Sequence, residues 1–138
     1  MKVMVFVQMD PKDETGAMPS EELLAAMGAY NEELVKAGIM LDVGGLKPTS
    51  EGTRVAFHGG TTSVVDGPFT ESKEIVVGYW VWEVGSLEEA VEWARRCPSD
   101  PNDTTTSWLE IRPCVSLEDF GDEQEAKLAE QLRSQQQT

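Results

Sequence analysis

Asp66, Lys73 and His58 are the residues of this 138-residue chain whose types and positions invite chemistry. Asp66 stands where a β-prone run enters Gly67-Pro68. Two compatible roles are open to a carboxylate there. It can bond to the backbone two residues on and hold the turn, or it can face a pocket as general base or ligand acceptor. Lys73 follows between Glu71 and Glu74. Beside Asp66 and pointing inward, it would lower the carboxylate pKa and give an apolar pocket a polar end. Pointing outward, it belongs with the two glutamates to a solvated charge run. His58 is the only histidine. A catalytic His–Asp pair needs heavy atoms about 2.6–3.2 Å apart. His58 falls at a predicted hairpin tip, and Asp66 at the far end of the return strand. At about 3.3 Å per residue, one chain cannot bring them together, so His58 reads as an exposed turn residue.

Among the aromatics, Tyr79, Trp80, Trp82 and Trp108 could line a pocket for a flat or apolar ligand, and Tyr30 could offer a hydroxyl at its wall. Each also reads as core, since aromatics bury about 150–250 Å² apiece. Cys97 and Cys114 form neither a CxxC nor a metal-ligand spacing. Cys97 precedes Pro98 and reads as a helix terminus, with Arg95 and Arg96 as its basic neighbours in sequence. No GxGxxG or P-loop supports a nucleotide site. With one histidine, metal ligands would have to be carboxylates alone. We therefore expect no cofactor and no metal.

The elements that must position these residues follow from periodicity. Residues 2–9 alternate as a strand, with Val3, Val5 and Val7 on one face and Met4, Phe6 and Gln8 on the other. Residues 10–18 read as a loop. Ser20 can cap a helix whose first turn carries Glu21 and Glu22, and Leu23, Met27, Tyr30 and Leu34 form its apolar stripe. Gly38 is its expected stop. Residues 39–47 suggest a strand broken by a Gly44-Gly45 turn. Residues 53–57 and 61–65 flank Gly59-Gly60 as a hairpin. Residues 66–69 compose a tight turn, and residues 75–84 are the strongest strand. Ser86 and Glu89 form a capping box for a helix with Leu87, Ala90, Val91 and Ala94 on its apolar face. A polar loop and a strand at 108–115 follow. Beyond Asp122 a helical tail, with Leu128 and Leu132 four apart, should fray into glutamines.

The core order is strand, helix, strand, hairpin, strand, helix, strand. With the hairpin as an insertion, this is an α+β, ferredoxin-like βαββαβ plan with an extra C-terminal helix. It divides into a domain at 1–120 and an acidic, polar tail at 121–138. Both helices lie on one face of such a sheet. The first and longest strands are nonetheless apolar on both faces, and large exposed apolar patches are rare on monomers. A second copy is therefore expected to cover the open face by sheet-on-sheet packing. The rival cover is the C-terminal helix folding back.

Net charge is −14, from 11 basic and 25 acidic residues. Cations such as Lys2, Lys12, Lys36, Lys47, Lys73, Arg95, Arg96 and Arg112 are scattered and form no stripe. Nucleic acid and anionic membranes are thereby set aside as partners, and the acidity reads as solubility. No run of about 20 apolar residues exists. The opening residues lack the apolar run and small-residue site of a signal peptide. A cytoplasmic protein with reduced thiols is expected.

The run Val65-Asp66-Gly67-Pro68-Phe69-Thr70-Glu71-Ser72-Lys73-Glu74, followed by Gly78-Tyr79-Trp80, resembles the signature of the DGPF proteins of the YCII-related family. The likeness extends over most of residues 1–120. It includes the opening strand, the first helix, Gly44-Gly45-Leu46, the second helix with Pro98, and Glu110-Ile111-Arg112-Pro113. The resemblance implies a dimeric α+β barrel of ferredoxin-like halves and no settled general activity. One branch of the wider superfamily eliminates chloride from a chlorinated hydroxyhydroquinone with a His–Asp pair. This chain departs from that branch at His58, which puts such chemistry in doubt. Members of the DGPF branch also tend to be encoded beside alternative sigma factors, a hint of regulation.

Three functions remain in view. The first is a small-molecule-binding homodimer of accessory or regulatory role, with a pocket near Asp66 that involves Lys73, Tyr79, Trp80 and Tyr30. The second is a cofactor-free lyase or isomerase with Asp66 as general base. The third is a protein-interaction module using its acidic tail or a sheet edge.

Overall fold

The computed structural model describes residues 1–136; Gln137 and Thr138, the end of the expected tail, lie outside the described residues. Strand β1 (Lys2–Met9) occupies the interior of a four-stranded antiparallel sheet ordered β2-β5-β1-β6, where β2 is Met40–Gly45, β5 is Ile75–Glu83 and β6 is Ser107–Pro113. Helix α1 (Glu21–Lys36) joins β1 to β2, and α2 (Leu87–Arg95) joins β5 to β6. This is the ferredoxin-like order. Between β2 and β5 the chain leaves the sheet as a separate hairpin, β3 (Thr53–His58) and β4 (Thr61–Asp66). The last helix, α3, spans Asp122–Gln136.

Local chemistry sets these boundaries. The Ser20 hydroxyl accepts from the N–H of Leu23 at 3.1 Å, satisfying one free donor of the first turn of α1. At the other end Gly38 takes a φ of +73°. Ile39 N–H then bonds back to Leu34 O at 2.9 Å and Gly38 N–H to Val35 O at 3.0 Å, so the last carbonyls are paired. Gly59 and Gly60, at φ +55° and +82°, make the two-residue hairpin turn that matches strand twist. Ser86 caps α2 through the N–H of Glu89 at 3.1 Å. The returning Glu89 carboxylate takes the N–H of Gly85, one residue earlier than a reciprocal capping box requires.

The core lies between the sheet and both helices. Val3, Val5, Trp80, Trp82 and Val84 meet Tyr30 and Leu34 of α1 and Ala90 of α2, with Met27, Trp93 and Ala94 packed around them. Trp80 donates its indole N–H to Asn31 Oδ1 at 2.9 Å. The apolar face of α2 differs from the expected one. Ala90 and Ala94 turn inward as expected, but Trp93 joins them, while Leu87 and Val91 stay exposed. The long side chain of Trp93 reaches the core from the flank, where its carbonyl also receives the Tyr30 hydroxyl at 2.7 Å.

Two further expectations need correction. Gly44 and Gly45 do not break β2 or form a turn. They end the strand, paired with Tyr79 and Gly78. Glycine is needed there for space, because a Cβ at Gly44 would lie 2.7 Å from the Tyr79 ring. Simple alternation along β5 also fails at its start. A register shift opposite Val7 and Gln8 sets Val76 against Gln8 and Ile75 against Met9, so the two sides exchange partners across the irregularity. The tail helix continues through Gln136 instead of fraying earlier. It rests mainly on the neighbouring 3₁₀ turn Leu117–Phe120 and has no buried residue. The far face of the sheet carries Met4, Phe6, Tyr79 and Val81 in register. Among the described residues no helix is long and apolar enough to cross a membrane.

Candidate functional groove

The seam between hairpin and sheet is built from four short pieces of chain. A 3₁₀ turn, Thr49–Glu51, follows Pro48. Glu14, from the loop after β1, takes the Thr49 N–H at 2.5 Å and the Thr49 hydroxyl at 2.7 Å. The Gly52 N–H closes the turn on Thr49 O at 2.9 Å, and the Gly67 N–H bonds to Gly52 O at 2.9 Å. Gly67 is thereby pressed against the turn, and a Cβ on it would run into the Thr49 carbonyl. The Asp66 carboxylate accepts from the Thr53 hydroxyl at 3.0 Å across the base of the hairpin, where these two residues face each other. The Asp-Gly pair therefore anchors the hairpin at its root.

Above this seam Phe69 lies flat under a cation. The Arg54 guanidinium sits 3.9 Å from the ring centroid, and its Nη2 donates to Ser72 Oγ at 3.0 Å. A groove of about 630 Å³ opens alongside. Leu46, Pro48, Phe69, Ile75 and Val76 give it apolar surface; Lys47, Thr49, Glu51, Thr53, Arg54 and Glu74 give it polar surface. Within it Lys47 and Glu51 approach to 3.8 Å. The volume falls in the roughly 300–1,000 Å³ range of small-molecule sites, and the lining is more evenly mixed between apolar and polar groups than is usual for them.

The residues singled out from sequence are dispersed. Asp66 is exposed and meets the groove only through Thr53, which lines it. Lys73 is exposed, and among the described residues no ion pair joins it to Asp66. Tyr30 and Trp80 are core residues that meet edge to face, with ring centroids 5.9 Å apart. Burial raises the Tyr30 phenol well above its ordinary range, helped by Cys97 and Glu33 and opposed by Arg96. Tyr79 lies over Gly44 on the far face of the sheet. Trp108, on β6, borders a hollow of about 440 Å³ beside Asp10 and Asp13. His58 pairs with Thr61 at the hairpin tip. Asp66 is five residues further along β4, roughly 17 Å away at strand spacing. Burial pushes the Cys97 thiol up to about 11, which keeps it in the unreactive thiol form. Among the described residues no three metal-ligating side chains stand together.

Arg54, Glu14 and Thr49 are the residues that sequence reasoning missed. Thr49 had a local signal, the turn-forming run Pro48-Thr49-Ser50-Glu51-Gly52. Arg54 had a weak one, a cation inside a β-prone run of an acidic chain. Glu14 had none, since its partner is 35 positions away.

The fold and groove together define a ferredoxin-like α+β domain that carries an inserted hairpin and a ligand-sized groove at its root. The model of the YCII-related domain matches residues 1–112, and the chain belongs to that family. It is also 36% identical over 93 residues to an uncharacterized protein of Rhizobium meliloti (strain 1021), covering 67% of this chain and 73% of that relative.

Proposed function

We propose that this chain is a cytoplasmic, homodimeric small-molecule-binding protein with an accessory or regulatory role. Its binding site is the groove between Leu46, Arg54, Phe69 and Val76. The observation that carries this reading is the groove itself, ligand-sized and mixed in polarity, held open by a hydrogen-bonded seam. The separation of His58 from Asp66 favours binding over acid–base catalysis, because the hairpin that holds them keeps its ends apart. The apolar residues on the far face of the sheet support a second copy as its cover.

Ligand-observed NMR with a fragment library tests the groove. Hits on the wild type should disappear in Leu46→Trp, which fills the groove from an exposed wall position. Hits that persist unchanged would move the site elsewhere. Sedimentation equilibrium should give twice the 15.2 kDa chain mass. A monomer at every concentration would remove the dimer.

A further inference from the structure

We infer that the groove selects a small organic carboxylate with an apolar body, gripped by Arg54. This rests on the reading of the groove as a ligand site and names the class of ligand it takes. Arg54 is set apart by how it is held at the groove and not by the want of an ion pair, which other cations of the chain share. Among the described residues Arg54 has no carboxylate partner. It is held instead by two neutral groups, the Phe69 face at 3.9 Å and the Ser72 hydroxyl at 3.0 Å.

That arrangement fixes the guanidinium plane and leaves most of its N–H donors uncommitted. A guanidinium has five donors in a planar fork that matches a carboxylate two at a time. Stacking on an aromatic ring orients the fork before the ligand arrives, which reduces the ordering cost of binding. Beside it, Leu46, Ile75 and Val76 offer apolar surface for the rest of the molecule.

The two carboxylates in the groove lining disfavour a multiply charged anion. Lys47 is engaged with Glu51 at 3.8 Å, and Glu74 also lines the groove. Among the described residues Arg54 is then the groove cation without an ion-pair partner, and one carboxylate matches its single charge. A phosphate dianion would meet more repulsion here and would gain nothing from the apolar wall.

Calorimetric titration at low salt tests the assignment. The probes are 4-phenylbutyrate, its neutral counterpart 4-phenylbutanol, and inorganic phosphate, each against wild type, Arg54→Gln, Arg54→Lys and Leu46→Trp. Wild type should prefer the carboxylate over the alcohol by about tenfold or more, the worth of one good charge-assisted contact. Arg54→Gln should erase that preference, so that acid and alcohol bind with affinities within about twofold of each other, and an unchanged circular-dichroism spectrum and urea midpoint report an intact fold. Arg54→Lys should keep only part of the preference, because the fork is lost and the charge retained. Equal affinities in wild type, or a preference that survives in Arg54→Gln, would overturn the carboxylate assignment while the groove stands, provided Leu46→Trp weakens both organic probes. Phosphate displacing phenylbutyrate at equal concentration would overturn it as well. No binding of either organic probe would remove the groove reading itself and this inference with it.

Discussion

Replacing Gly67 with alanine should open the seam that anchors the hairpin. The added Cβ meets the Thr49 carbonyl, which is backbone and cannot rotate aside. That carbonyl is fixed by the Gly52 N–H at 2.9 Å, and Gly52 O is in turn fixed by the Gly67 N–H at 2.9 Å. Relieving the overlap therefore costs one or both of these bonds, about 1 kcal/mol each. Residual overpacking adds about 1–3 kcal/mol. The expected loss is about 2–5 kcal/mol, a large part of the roughly 5–15 kcal/mol that holds a domain together. Gly28 is the internal control. It lies within α1, and a Cβ added there would meet only open space, so alanine should stabilise by up to about 1 kcal/mol. Urea unfolding measures the global change. Because β3 and β4 form a sheet of their own, the loss can also take the form of local opening. Amide hydrogen exchange of residues 53–66 should then accelerate by a corresponding factor. Gly67→Ala with both measurements unchanged to within about 0.5 kcal/mol would refute the reasoning.

Three other outcomes follow from the same geometry. Gly44→Ala should displace the Tyr79 ring and cost about 1–3 kcal/mol in urea unfolding, and most of that cost should vanish in a Tyr79→Ala background, since a side chain and not backbone is in the way. Glu14→Ala should free the N–H and hydroxyl of Thr49, cost about 1.5–3 kcal/mol, and loosen the 3₁₀ turn at Thr49–Glu51, as read by amide exchange. In a Cys114→Ser background, disulfide-reagent labelling of Cys97 at pH 8 should run about a hundredfold slower in the folded chain than in the unfolded one, because the thiol pKa rises from 9.0 to about 11 on folding. The linkage has a definite sign: the unfolded chain sheds this proton from about pH 9, whereas the folded chain holds it until about pH 11, so this group's contribution to stability is lost as pH rises through that window.

Much of the fold was legible because its signals are local. Ser20, Gly38 and Gly59-Gly60 each dictate their own element ends, and the alternation of residues 2–9 identifies a strand from neighbours alone. The inward turn of Trp93 was not legible, because it is set by packing against a core assembled from distant strands and from α1, whose Tyr30 hydroxyl also meets the Trp93 carbonyl. Nor was the role of Gly44, which exists to make room for a ring on another strand. The site was read less well than the fold. Asp66 was singled out for a bond to the backbone two residues on, but that residue is Pro68, which has no N–H, and the carboxylate instead takes the Thr53 hydroxyl across the hairpin base. The groove, by contrast, is assembled from residues 46–54 and 69–76, two stretches joined only by the folding back of the hairpin. No spacing rule along one strand reveals that Arg54 will come to rest on Phe69.

Native mass spectrometry of freshly purified protein tests the central claim most directly, with wild type and Leu46→Trp measured side by side. The predicted result is a species at twice 15.2 kDa carrying a small additional mass, with that mass lost in the variant and the dimer retained. A bare chain in both proteins that takes up no added carboxylate, or an additional mass indifferent to Leu46→Trp, would contradict it.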